Sequence, residues 1–165
     1  MIAAVVLAAG AATRFGAPKQ QLLLPRVLAR LGESPVDEVV VVAGAHTVEV
    51  EGAEVIDCPE WERGPGASLR CGLAAFDHGV EAAVVCLADG LNLAPEAVHR
   101  VLEAWRADGG EVVAASYGGA RGHPLVIGRA AWASVPDEGL RGLPVTLVPC
   151  DDLGPPGDVD SPDDL

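Results

Sequence analysis

Short apolar runs recur along the chain, with stretches of helical apolar spacing between some of them. Within the runs, β-branched residues follow one another without the alternation of apolar and polar positions that marks a strand with one solvated face. Strands that are apolar on both sides are typical of a mainly parallel α/β sheet covered by helices on both faces. The strands predicted in this way are Ile2–Ala8, Glu38–Ala43, Ala82–Ala88, Val112–Ser116, Leu125–Ile127 and Val145–Val148.

Three segments carry helix signals. Pro95–Ala107 opens with proline, which suits the first turn of a helix, and it ends before two glycines. Ser68–His78 opens with a serine that is expected to be its N-cap, and Pro25–Leu31 predicts a shorter helix. The pattern therefore predicts a single α/β domain over residues 1–165, with its ligand site beyond the carboxyl ends of the strands.

Composition narrows the class of protein. Eleven basic and 24 acidic residues give a net charge of −13 over 165 residues, which disfavours a nucleic-acid-binding surface. The apolar runs are too short to cross a bilayer, and the N-terminal run lacks the basic lead of a signal peptide. The four cysteines show no C-x-x-C pair, so we expect reduced, structural thiols in a cytoplasmic protein and no zinc site.

Charge is unevenly distributed along the chain, and the first residues do not share the acidic character of the whole. Residues 1–32 hold four basic residues and no acidic one, and Lys19 is the only lysine. Directly after the first predicted strand comes a glycine-rich turn, Gly10–Gly16, which contains Arg14 and is followed by Lys19. The spacing fits neither the P-loop nor the dinucleotide-binding pattern. Backbone N–H groups with two cations nevertheless suit a phosphate chain.

The opening stretch Leu7-Ala8-Ala9-Gly10, followed by Arg14-Phe15-Gly16 and Lys19-Gln20, closely resembles the first motif of the MobA-like nucleotidyltransferases. The resemblance extends over nearly the whole chain. It implies a three-layer Rossmann-like fold of the nucleotide-diphospho-sugar-transferase (GT-A-like) type. It also implies a catalytic role for Arg14 and Lys19, and nucleotide binding by Leu7, Ala8, Ala9, Gly10, Arg14, Gly16 and Lys19.

Carboxylates follow at two places. Asp89 ends the strand Ala82–Ala88, at the rim where a ligand is expected. The last segment, Asp158-Val159-Asp160-Ser161-Pro162-Asp163-Asp164-Leu165, resembles the closing motif of the same family. The resemblance implies that Asp89 is a catalytic metal ligand for Mg²⁺ and that Asp158 or Asp160 supplies another, consistent with the preference of Mg²⁺ for oxygen donors.

Two glycine-rich segments complete the expected site. Glu62–Leu69 resembles the family segment that holds the nucleobase and ribose, which implies contacts from Gly64, Gly66 and Ser68; Ser68 has the alternative role of helix cap. Tyr117–Pro124 resembles the acceptor-side motif ending in Gly-His-Pro. By this resemblance the acceptor-binding residues, expected in a glycine loop before a strand, are Arg121, Gly122, His123 and Pro124.

The function implied by the resemblance is Mg²⁺-dependent transfer of CMP from CTP to the phosphate of molybdopterin, with release of pyrophosphate. The apo-molybdoenzyme or its maturation factor would be a protein partner. Transfer from GTP, or to a sugar phosphate or phospholactate, is the alternative within enzymes. A non-catalytic nucleotide-binding protein is the alternative outside them, because segments of the acceptor half are shorter than in the family.

Overall fold

The structure, a computed structural model, describes residues 1–10, 19–108 and 110–157. Within these ranges, seven strands and three α-helices follow one another. In order they are β1 (Ile2–Ala8), α1 (Lys19–Gly32), β2 (Glu38–Ala43), β3 (Glu54–Asp57), α2 (Pro65–Leu73), β4 (Ala82–Leu87), α3 (Pro95–Asp108), β5 (Val112–Tyr117), β6 (Ala120–Gly128) and β7 (Thr146–Pro149). Short 3₁₀ turns cover Trp61–Arg63, Arg129–Ser134 and Asp151–Leu153.

All seven strands form one sheet in the order β3-β2-β1-β4-β6-β5-β7. Strand β6 pairs antiparallel with both of its neighbours, whereas the other pairs are parallel. The sheet is therefore mostly parallel, and the predicted α/β fold class is confirmed.

Helices cover the sheet on both faces. Side chains alternate across a strand, so neighbouring valines of β1 enter different cores: Val6 packs with α1 and α3, and Val5 packs with α2 and the turn at Trp132. Both valines are fully buried. This explains why the strands are apolar at consecutive positions, and it gives the three layers that the sequence predicts.

Two helices begin earlier than predicted. Helix α1 starts at Lys19 and contains Pro25, although the sequence places the helix start at that proline. The buried positions Leu24, Val27 and Leu31 continue a single apolar stripe through the proline. Packing of this stripe therefore outweighs the roughly 3 kcal/mol that an interior proline costs.

Helix α2 starts at Pro65, and its N-cap is Gly64. The expectation that Ser68 caps this helix is wrong, because Pro65 already occupies the favourable first-turn position. Ser68 is buried one turn inside the helix, where its amide donates to the Gly64 carbonyl over 3.3 Å.

Strand β6 is longer than predicted, and β3 was not predicted at all. Arg121, Gly122 and His123 lie within β6, so the expectation of a glycine loop at this point is wrong. Glycine and proline obscured the strand, yet the residues pair with β5 up to Tyr117–Ala120. Strand β3 has exposed residues at both ends, and its pattern therefore lacks the continuous apolar run of the other strands.

Cys58 and Cys71 form a disulfide, with a Cα–Cα distance of 5.9 Å. The prediction of four reduced cysteines is therefore wrong for this pair. The two residues are separated in sequence by 13 positions, and the fold brings them together where α2 packs beside the end of β3. Cys86 and Cys150 are free and buried. Within the ranges that the structure describes, no helix is long and apolar enough to cross a membrane.

Candidate functional site

A cavity of about 970 Å³ opens at the carboxyl ends of β1 and β4 and extends to the start of β6. Its floor is formed by the strand ends, and its walls come from α2, from the segment 138–141 and from the segment 155–157. The lining residues are Leu7, Val85, Cys86, Leu87, Gly90, Leu93, Leu125, Pro65, Leu69, Tyr117, Ala120, Arg121, Gly122, His123, Glu138, Gly139, Leu140, Arg141, Pro155, Pro156 and Gly157. Ligands of open α/β sheets bind at this edge, and the cavity has the size of a small-molecule site.

The end of β1 forms one side of the cavity. Leu7 lines it, Ala8 and Ala9 are buried, and Gly10 is exposed where the chain leaves the sheet. The carbonyls of Leu7 and Ala9 accept hydrogen bonds from the amides of Ala88 (3.0 Å) and Ala45 (3.1 Å), which hold this turn against the neighbouring strands. Arg14 and Gly16 lie outside the described residues, and of Lys19 only the backbone, at the start of α1, is described.

The start of α2 is held against the segment 136–139 by backbone contacts. Gly66 donates its amide to the Asp137 carbonyl over 2.8 Å, and a Cβ at Gly66 would lie 1.6 Å from the Pro136 carbonyl oxygen. Gly64 has a φ of +136°, which L side chains rarely adopt. In the structure both glycines thus allow the two segments to approach, and Pro65 between them lines the cavity.

Asp137 links the same two segments through its side chain, a role that no sequence pattern predicts. Its carboxylate pairs with Arg63 at 3.0 Å and with Arg70, and Arg70 also donates to the Val135 carbonyl over 2.5 Å. The hydrogen bond from Arg70, followed by that from Arg63, holds the pKa of Asp137 below its usual value of 3.8. One carboxylate therefore fixes the wall that Pro65 and Gly139 contribute.

Asp89 lies in the turn directly after β4 and is half-buried. The amide of Asn92, in the same loop, donates to the Pro156 carbonyl over 3.0 Å, so the last described residues cross beside this turn. Asp158 and Asp160 lie outside the described residues and follow Gly157 directly in the chain. Within the described part of the chain, no three His, Cys, Asp or Glu residues are grouped so as to hold a metal ion.

The segment that leads to Gly157 is anchored at several points. The Cys150 amide donates to the Ser116 carbonyl over 2.9 Å, and the Asp151 carboxylate accepts from the Gly118 amide. Arg100 of α3 binds both carboxylate oxygens of Asp152, at 2.7 and 2.8 Å. Contacts with β5, with the turn after it and with α3 therefore hold residues 150–152 in place.

The predicted acceptor residues lie at the start of β6. Arg121, Gly122 and His123 line the cavity, whereas Pro124 is buried behind it. The Tyr117 hydroxyl donates to the His123 carbonyl over 2.7 Å, and burial is the first cause that raises the pKa of Tyr117 to about 12. A Cβ at Gly122 would lie 2.8 Å from the Tyr117 ring, so this glycine leaves room for the tyrosine.

The structure thus brings Leu7 together with Arg121, Gly122 and His123 around one cavity, with Asp89 in the adjoining turn. Gly64 and Gly66 position its wall, and Ser68 is buried in α2. Sequence reasoning missed Arg141, Tyr117 and Asp137. Tyr117 stands in the quoted acceptor motif, but nothing in the residues around Asp137 and Arg141 resembles a binding pattern.

The comparisons with known proteins agree with this architecture. Residues 4–143 match the MobA-like NTP transferase domain family. Rv0371c from Mycobacterium tuberculosis H37Rv is 27% identical, with a TM-score of 0.81 over 99% of this chain and 94% of that one. Its homologue from Mycobacterium sp. strain JC1 is 26% identical, with a TM-score of 0.80 over 99% and 92%.

A more distant structure supports the fold alone. The nucleotidyl transferase Mth528 from Methanothermobacter thermautotroptrophicus is 23% identical, with a TM-score of 0.66 over 81% of this chain and 74% of that one. A search of curated protein sequences gave no significant match. The family match covers most of the chain, and the sheet with its cavity is consistent with a Rossmann-like nucleotidyltransferase. The chain belongs to the MobA-like NTP transferase domain family.

Proposed function

We propose that this protein transfers CMP from CTP to the phosphate of a molybdopterin-type acceptor, with Mg²⁺ as the metal. The observation that carries the proposal is the single cavity shared by the end of β1 and the start of β6, beside the turn of Asp89. A donor at β1 and an acceptor at β6 would meet in one space that both can enter.

In this proposal the acceptor's phosphate oxygen attacks the α-phosphorus of CTP. A P–O bond to the acceptor forms as the bond between the α-phosphorus and the bridging oxygen breaks, and pyrophosphate leaves. No proton transfer is needed, because the nucleophile is an ionised phosphate. The protein's contribution is therefore positioning and charge stabilisation. Arg14, Lys19 and the backbone of Gly10–Gly16 would bind the triphosphate, and Gly64, Gly66 and Ser68 would contribute to the nucleoside side.

Carboxylates are the donors that would hold the metal. Asp89 stands half-buried beside the cavity, and the Asn92–Pro156 hydrogen bond holds the last described residues beside that turn. Asp158 and Asp160 follow these residues in the sequence and would supply the further carboxylate. Such a donor set fits a hard divalent cation, which supplies charge neutralisation at the phosphates when bound. A crystal structure of Rv0371c, 25% identical to this chain, is described as a complex with manganese, which supports a divalent metal.

The experiment is a thermal-shift panel of CTP, GTP, ATP and UTP with Mg²⁺, followed by pyrophosphate release with each candidate acceptor. CTP is expected to raise the melting temperature most, because a ligand of the native state stabilises it by mass action. Nucleotide binding without pyrophosphate release under all acceptors would contradict a transferase. A larger shift with GTP would contradict the choice of CTP.

Lys19→Ala tests the proposed role of Lys19 in binding the triphosphate of CTP. It is expected to remove most turnover while the melting temperature without ligand stays unchanged, since Lys19 begins α1 and would act through its charge on the triphosphate. Lys19→Arg should restore part of the loss. An unchanged kcat/KM for Lys19→Ala would refute this role.

A further inference from the structure

We propose that Arg121 and Arg141 together form a binding site for a phosphate dianion at the β6 side of the cavity. Both side chains line the cavity, one from the start of β6 and the other from the segment that follows Leu140. Arg141 was not expected from the sequence, so this pair adds a residue to the proposed acceptor side.

The partners of the described arginines support the proposal. Five of these arginines pair with carboxylates: Arg30, Arg63, Arg70, Arg100 and Arg106. Arg129 instead donates to the carbonyls of Asp77 and Val80. Within the described ranges, Arg26, Arg121 and Arg141 have no ion-pair partner, although the chain has 24 acidic residues against 11 basic ones. Of these three, Arg121 and Arg141 line the cavity and Arg26 does not. Guanidinium groups left unpaired in such an acidic chain, at the wall of a cavity, suit an anionic ligand.

The two arginines are also close enough to affect each other. Partial burial, and then the positive charge of Arg141, lower the pKa of Arg121. Like charges held together without a counterion are unfavourable, and a dianion between them would remove this repulsion and accept several charge-assisted hydrogen bonds. Glu138 is the one carboxylate residue among the described cavity-lining residues, and it forms an ion pair with neither arginine.

Position in the sheet favours the acceptor's phosphate over the triphosphate of the donor. Strand β6 is separated from β1 by β4, which places Arg121 about 10 Å across the sheet from the end of β1. The apolar residues Leu125 and Leu140 also line the cavity and suit the organic part of a phosphate monoester. The assignment of the bound phosphate to the acceptor rests on the proposed function, whereas the anion site itself does not.

The test is calorimetric titration with phenyl phosphate, and separately with CTP and Mg²⁺. Arg121→Gln and Arg141→Gln are each expected to raise the Kd for phenyl phosphate about 10-fold or more, and Arg141→Lys less. Arg26→Gln is the matched control: Arg26 is exposed, pairs with no carboxylate within the described ranges, and does not line the cavity. Its Kd should equal that of the unmodified protein. CTP affinity should be unchanged in all four variants.

Each contrary outcome of these titrations counts against a different part of the proposal. No detectable phenyl phosphate binding by the unmodified protein, or equal binding by every variant, would overturn the site. Loss of CTP affinity with phenyl phosphate binding intact would overturn the acceptor assignment and give the pair to the triphosphate. Because these titrations need no turnover, a protein without transferase activity that still shows the arginine-dependent Kd would refute the proposed function and leave the anion site standing.

Discussion

At the scale of single residues, Asp137 connects two segments of the cavity wall. Its carboxylate holds Arg63 and Arg70, and its carbonyl accepts the amide of Gly66. All of these contacts connect the start of α2 to the segment that carries Glu138 and Arg141. A change of charge at this one position therefore reaches both walls of the site.

Asp137→Asn should lower stability at neutral pH and leave it nearly unchanged in acid. The folded-state pKa of Asp137 lies below 3.8, so its stabilising contribution is complete above that usual value and is lost as the pH falls through the folded-state pKa. The difference in melting temperature should be at most about 2 °C near pH 7, as for other exposed pairs, and should shrink below about pH 4. Glu138→Gln, at an exposed neighbour without an ion pair in the described ranges, is the control. A difference that persists undiminished in acid would contradict the assignment to this carboxylate.

Residue identity alone predicted only part of the site. Arg121 and His123 stood in a motif with glycines and were expected to bind a ligand, and they line the cavity. Arg141 stands between leucine and glycine, without a pattern of its own, and it reaches the cavity because Gly64 and Gly66 let its segment pack on α2. Such a long-range contact leaves no periodic signal in either segment.

At the scale of elements, buried strands and α3 were predictable because apolar runs and caps decide them locally. Helix α3 ends at Asp108, one residue beyond the predicted end, and β1 and β2 have the predicted bounds. The starts of α1 and α2, and the full length of β6, depend on packing against other elements. For this reason the predicted helix starts at Pro25 and Ser68 were too late, and the predicted loop at Gly122 is part of a strand.

The Cys58–Cys71 disulfide can be tested by counting free thiols. In concentrated guanidinium without reductant, thiol titration should count two thiols, from Cys86 and Cys150, rather than four. In the folded protein neither should react readily, because both are buried and burial raises the pKa of Cys86 to about 12. Reduction should lower the free energy of unfolding by about 3 kcal/mol, as expected for a short closed loop. Four reactive thiols in denaturant would show that Cys58 and Cys71 are unpaired.

At the scale of the whole molecule, the charges that give the net value of −13 are unevenly distributed along the chain. The first 32 residues carry only basic charges, and residues 151–165 carry six aspartates and no basic residue. Within the described segments, Arg100 holds Asp152, and Pro156 lies beside the turn of Asp89 through the hydrogen bond from Asn92.

Arg100→Ala should weaken Mg²⁺ binding, although Arg100 itself would not contact the metal. Loss of the Asp152 ion pair removes one anchor of the segment before Asp158, so we expect about a 10-fold higher Mg²⁺ requirement for turnover, the low end of outer-sphere effects. Arg106→Ala is the matched control on the same helix, because Arg106 pairs only with its neighbour Glu103 among the described residues. The readout is turnover against Mg²⁺ concentration at saturating CTP. Equal Mg²⁺ curves for both variants would contradict the anchoring role.

The reversed direction of β6 has a consequence for recognition. A parallel strand would bring only the loop after it to the ligand edge, whereas β6 arrives there with its first residues, already hydrogen-bonded to β5. Arg121 therefore projects from a backbone that is ordered before any ligand arrives, and binding there needs little further loss of conformational entropy. Acceptor recognition in this protein should accordingly resemble a rigid template, with selectivity set by the shape of the acceptor more than by adjustment of the protein.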